Sequence, residues 1–257
     1  VHRRGQHIPV VSGRLRHLTA AAVLTLAAVA VAPAALPTEH AAPASAARTS
    51  AGQSADGRFE MVSTTDPSKP MRWLACKPIE YRINPAEMPA GMTATVQHAM
   101  RVIAQQTGVR FRYAGRTSHT FASTSHASTP TIYFSFTRQA RAAGQTFGGS
   151  GGEIGVGGPA AAWYSSGGLT VEGITYGRVL LSSRFRGALT GSGVSWQGLL
   201  LHEVGHALNL AHHGGATSIM HPALTGATPD RYTPAEVRSL KQVLQTTGCD
   251  YAAWSRL

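Results

Sequence analysis

The sequence predicts an α+β fold, and three observations carry that expectation. Segments that alternate like strands are concentrated between Pro78 and Ser183. One amphipathic helical pattern lies among them, near residues 96–104, and two more follow after residue 195. The chain between those two late helices shows neither periodicity. Strands mingled with one helix, then helices separated by irregular chain, fit an α+β layer arrangement better than a repeating βα pattern.

Arg3, Arg4, Arg14, Arg16 and His17 precede an apolar run from Leu18 to Ala32, which leads into Ala/Pro-rich sequence containing Ala44-Ser45-Ala46. That succession describes a secretory signal peptide over residues 1–46. A membrane anchor is the alternative, but a bilayer span needs about 20 apolar residues. Residues 47–72 are mostly polar and read as a linker or short pro-segment. The folded domain is assigned to residues 73–257. Within it, PIEYRIN (78–84) alternates like a strand. Val96, Ala99, Met100, Ile103 and Ala104 then share one helical face, and Gly108 is a natural stop. VRFRY (109–113), TIYFSF (131–136) and ITYGRVLLSS (174–183) read as further strands, with a Ser/Thr/His-rich loop before the second. GQTFGGSGGEIGVGG (144–158) reads as a flexible loop flanking a short edge strand. It carries no Gly-Lys-Ser/Thr, which excludes a phosphate-binding loop of the common kind. A helix is predicted from about Ser195 to Leu210. The last is announced by Thr233-Pro234-Ala235-Glu236, a capping Thr, a Pro in first position and a Glu three residues after the cap.

Charge narrows the class. The chain holds 23 basic Lys and Arg against 12 acidic residues, for a net charge of +11. The basic residues are scattered singly, without a dense block or aromatic interleaving, so no nucleic-acid partner is expected. A solvated basic exported protein is the plain reading, and affinity for an anionic cell wall the sharper one. Cys76 and Cys249 are the only cysteines. In an oxidising compartment an even pair reads as one disulfide, joining the start of the domain to its end. Two free buried thiols are the alternative.

The most informative stretch is LLLHEVGHALNLAHHGG (199–215), with four histidines and a glutamate in an apolar run. Burying so many ionisable groups without partners would be costly. Residues four apart on a helix project about 40° apart around its axis, so His202 and His206 share a face with room for one ion. His-Glu-x-x-His on a helix is a zinc arrangement, and a catalytic zinc usually takes three protein ligands. No carboxylate occurs between Glu203 and Asp230, which leaves His212 as the near third ligand. To bring it back, the helix must end and the chain must turn. Asn209 is the residue best suited to that left-handed turn after glycine.

Residues 202–212, together with Ser218-Ile219-Met220-His221-Pro222, resemble the metzincin clan of zinc metalloproteases. Their pattern is His-Glu-x-x-His-x-x-Gly-x-x-His followed by a methionine-containing turn. The spacing is most similar to the matrixin group, in particular its small secreted bacterial members. The resemblance implies a metzincin-like α+β domain: a twisted mixed sheet, an active-site helix, then a small irregular C-terminal subdomain with a final helix. It implies one catalytic zinc on His202, His206 and His212, a zinc-bound water activated by Glu203 as general base, and Met220 as a structural floor. It also implies a protein or peptide substrate lying along an edge strand near Glu153 to Gly157.

Two features depart from the pattern. Asn209 replaces the glycine, and the Pro-Arg-Cys-Gly latency switch of animal matrixins is missing; Cys76 could imitate it by ligating the metal. His213 and His221 are expected to point away from the zinc. His119 and His126 could hold a second metal or simply belong to a polar loop. The protein is expected to be a secreted, extracellular monomer without stable membrane association once the signal is cleaved. Two rivals to an endopeptidase are a zinc hydrolase of cell-wall peptides and a non-enzymatic zinc-binding surface module.

Overall fold

A computed structural model describes residues 53–54, 57–64, 66–73, 78–123, 129–148, 153–166, 169–187 and 194–244. The predicted signal peptide, His126 and both cysteines lie outside the described residues. Two short strands, β1 (Gln53–Ser54) and β2 (Gly57–Arg58), pair antiparallel at the start. The main chain of elements then runs β3 (Ile79–Ile83), α1 (Met92–Thr107), β4 (Phe111–Arg116) and β5 (Thr131–Thr137). A small antiparallel pair follows, β6 (Arg141–Ala142) with β7 (Gln145–Thr146). After it come β8 (Gly155–Ser166), β9 (Leu169–Ser182), α2 (Trp196–Ala207) and α3 (Pro234–Leu244).

Five strands build one mixed sheet in the order β4-β3-β5-β9-β8. The first four are parallel to their neighbours, and β8 closes the edge antiparallel to β9. Register places Ile83 beside Phe134 and Phe134 beside Val179, with Tyr81, Ile132, Phe136 and Leu181 on the same face. All are buried, and α1 and α2 cover them with Met100, Ile103, Leu200 and Val204. The opposite face carries Glu80, Arg82, Tyr133, Tyr176 and Arg178, as the period of two requires. There Glu80 pairs with Arg112 and, at 3.3 Å, with Arg82. The α+β architecture is thus the one expected, down to the irregular chain between α2 and α3. Among the described residues no helix is long and apolar enough to cross a membrane.

Boundaries moved where sequence signals were weak. The strand read at 109–113 begins at Phe111 and continues to Arg116. The strand read at 174–183 is longer, because β9 starts at Leu169 to pair along β8. The glycine-rich stretch is not merely a loop with a short strand: from Gly155 it enters a strand of 12 residues. Part of the segment read as a linker or pro-segment also packs into the domain. Phe59 and Met71 are buried, Phe59 bridges to Leu210, and the Arg72 carbonyl accepts from the Ile174 amide.

Candidate metal centre

Helix α2 sets the geometry. Ser195 caps it by accepting from the Gly198 amide at 2.9 Å. Its interior from Gly198 to Ala207 is buried, so the three ionisable groups on it are buried as well. The helix ends as the left-handed turn demands: Asn209 has φ 89°. The Leu210 amide returns to the Gly205 carbonyl and the Asn209 amide to that of His206, both at 2.8 Å. This pairing is a Schellman motif with asparagine in the glycine position. It stops α2 at Ala207, three residues before the predicted end, and returns the chain so that His212 reaches the face of His202 and His206.

The three imidazoles converge. One ring nitrogen from each lies within 4.8 Å of the others, and the ring centroids of His206 lie 4.7 Å from those of both His202 and His212. Hydrogen bonds fix the tautomers of the two helical histidines. His202 Nδ1 lies 2.7 Å from the Ile219 carbonyl oxygen, and His206 Nδ1 lies 2.9 Å from that of Leu210. A carbonyl only accepts, so each Nδ1 carries a proton. The His202 ring then leaves Nε2 as a lone pair, whereas, against its burial, Glu60 and the charge of Glu203 raise the His206 imidazole. Those two Nε2 atoms face each other at 3.1 Å. A protonated His206 can donate from Nε2 to the His202 lone pair across that gap, and a metal cation can take the place of that proton. In a tetrahedral zinc site with Zn–N distances of 2.0–2.1 Å, two ligand nitrogens stand about 3.3 Å apart. The donor set therefore fits zinc. Burial, reinforced by His206, also pushes the His202 imidazole down to about 3, which keeps it neutral.

Glu203 sits between the two helical histidines, buried at the junction of α2 and β8. Burial pushes its carboxyl up to about 8, against the pull of His206. The edge strand lies on it. A Cβ at Gly155 would come within 2.7 Å of Glu203 Cγ and Oε1, and one at Gly157 within 2.0 Å of the Glu203 backbone oxygen. Gly155 and Gly157 are thus explained by close approach of strand to helix.

Met220 lies under the helix, buried, and a Cβ at Gly205 would meet its Sδ at 2.3 Å. Its turn is tied to α3 by Glu236. Oε1 accepts from the Met220 amide at 3.0 Å and from Ser218 Oγ at 2.6 Å, while Oε2 accepts from the Thr233 amide at 2.7 Å. His213 and His221 stand outside the three-histidine group, with their Nδ1 atoms beside backbone atoms of Gly215 and Ala223. His119 stacks on Tyr133 on the far face of the sheet, with ring centroids 4.5 Å apart.

Sequence reasoning missed two contributors. Glu60 Oε1 lies 3.0 Å from His206 Nδ1, across 146 positions of chain. Asn209, anticipated only for its backbone, also spends its side chain: Oδ1 accepts from the Met61 amide at 2.7 Å. Its Nδ2 donates to the Met61 and Met71 carbonyls, both at 2.9 Å. No local pattern announces either contact. The second role of Glu236 was equally hidden behind its legible helix cap.

Residues 72–239, more than half of the chain, match the family model described as matrixin, a group of peptidases. Among curated proteins none matches.

Proposed function

The chain belongs to the matrixin family and is a zinc metalloendopeptidase, and from that premise we propose that His202, His206 and His212 hold one catalytic zinc while Glu203 is the general base. The carrying observation is the convergence of the three imidazoles, with the Nε2 atoms of His202 and His206 facing each other at 3.1 Å and His212 closing the group. Zinc bound there supplies Lewis acidity, lowering the pKa of a water and polarising a carbonyl. Beside a zinc ion the Glu203 carboxyl would be drawn back toward its ionised form. In that form Glu203, one residue from His202 and buried against β8, would take the proton of the attacking water and return it to the leaving amine. Met220 touches no reacting atom in this reading; it supports α2 from below.

Substrate approach follows from the sheet. Among the described residues β8 pairs only with β9, so its outer edge offers unpaired backbone groups. An extended peptide adding there by backbone pairing would run past Glu203. Export through the N-terminal segment, a bacterial extracellular setting, a Cys76–Cys249 disulfide and a monomeric state complete the proposal. They rest on the sequence.

The test is hydrolysis of a mixed peptide library by the purified protein, with zinc and with a chelator. Cleavage that the chelator abolishes and zinc restores supports the assignment. Cleavage that survives metal removal contradicts it, and no cleavage by folded, zinc-loaded protein moves the activity away from general peptides.

A further inference from the structure

We propose that Glu60 is a positioning residue for the metal ligand His206, presented by a segment, residues 59–73, that Asn209 fastens to the end of α2. The inference rests on the metal site proposed above.

The metzincin pattern has glycine where this chain has Asn209, and at φ 89° glycine carries no side-chain strain. Asparagine is useful here for its amide. Its side chain is wholly buried and makes the three hydrogen bonds to Met61 and Met71 given above. Backbone pairing adds to them: the Glu60 amide donates to the Asn209 carbonyl at 3.2 Å, and Phe59 bridges antiparallel to Leu210.

Further along, the segment is held at two more places. Glu172 of β9 accepts from the Thr64 amide at 2.9 Å, and the Ile174 amide donates to the Arg72 carbonyl at 2.8 Å. Residues 59–64 and 66–73 are therefore a strap anchored at several points. Glu60 is the member that reaches the metal centre.

Its carboxylate shares the Nδ1 proton of His206 with the Leu210 carbonyl. The carbonyl suffices to fix the tautomer, so the carboxylate adds negative charge and a second constraint on ring orientation. A carboxylate on the outer nitrogen raises the basicity of the metal-bound one, and losing such a partner costs about 10–100-fold in metal affinity. Glu60 is 40 % exposed, and the carbonyl remains when it is removed. Solvent screening then places the expected loss near the lower end, about tenfold.

The experiment uses the full chain. Zinc affinity is measured by competition with a chromophoric chelator, beside thermal unfolding of the metal-free protein. Glu60→Ala should weaken zinc about tenfold with an unchanged metal-free midpoint, and Glu60→Gln, which keeps an acceptor without charge, should recover part of the loss. Asn209→Gly, with Glu60 intact but the strap released, should weaken zinc comparably and lower the midpoint as well. Cobalt-loaded protein should show altered visible bands in the same variants. Zinc affinity of both Glu60 variants within about twofold of the unsubstituted protein would overturn the inference, since the same comparison excludes the tenfold loss. An unsubstituted protein that binds no zinc would instead overturn the metal site itself.

Discussion

A methyl group at position 157 has nowhere to go. It would meet the Glu203 backbone oxygen at 2.0 Å, and a helix backbone cannot step aside as a flexible side chain can. Gly157→Ala should therefore lift β8 off α2 and destabilise the protein by about 1–3 kcal/mol, measured by urea unfolding. Gly158→Ala is the internal comparison, because nothing lies within 4 Å of a Cβ there; its midpoint should stay close to that of the parent. The contrast also shows what the sequence could reveal at this scale. The glycines were visible, but glycine in a strand looks like loop when the reason for it belongs to another element. His202, His206 and Asn209 were legible because one helical period and one turn relate them. Glu60 was not, since only the tertiary fold brings it to His206.

Among elements, α3 shows how a local signal can serve a distant site. Its Thr233…Glu236 capping box was readable from spacing alone. The same carboxylate holds the Met220 turn through Oε1, and that contact has no signature in the sequence. Glu236→Ala removes the carboxylate half of the capping box, which accepts from the Thr233 amide, and takes the acceptor from the buried Ser218 hydroxyl, while the Met220 amide keeps Ser218 Oγ. The expected loss is about 2–3 kcal/mol, read by urea unfolding, because half of the capping box and the acceptor of a buried hydroxyl are lost together. A substitution that only removed the cap would cost about 1 kcal/mol. Helices were placed well because caps and a 3.6-residue period are local. Strands were placed less well at their ends, where the ladder partner decides. β9 extends to Leu169 because β8 is there to pair with it.

At the scale of the whole molecule, the proposed metal site joins parts distant in sequence: the strap around Glu60, edge strand β8, helix α2, the Met220 turn and α3. Metal binding should therefore stabilise the domain rather than a single loop. At zinc a thousandfold above its dissociation constant, linkage predicts about 4 kcal/mol. For a domain of roughly 200 residues that amounts to a thermal midpoint about 10 °C higher, which scanning calorimetry with and without chelator would measure. A shift confined to 1–2 °C would indicate a site that barely couples to the fold. The central claim remains that three histidines hold the metal and Glu203 moves the proton. The most direct test measures zinc stoichiometry and peptide turnover together, for the parent and for Glu203→Gln. The account predicts one zinc per chain in both proteins, with turnover in the variant lower by about 10²–10⁴-fold, the range ascribed to a general base. A variant that keeps both its zinc and its turnover would contradict it.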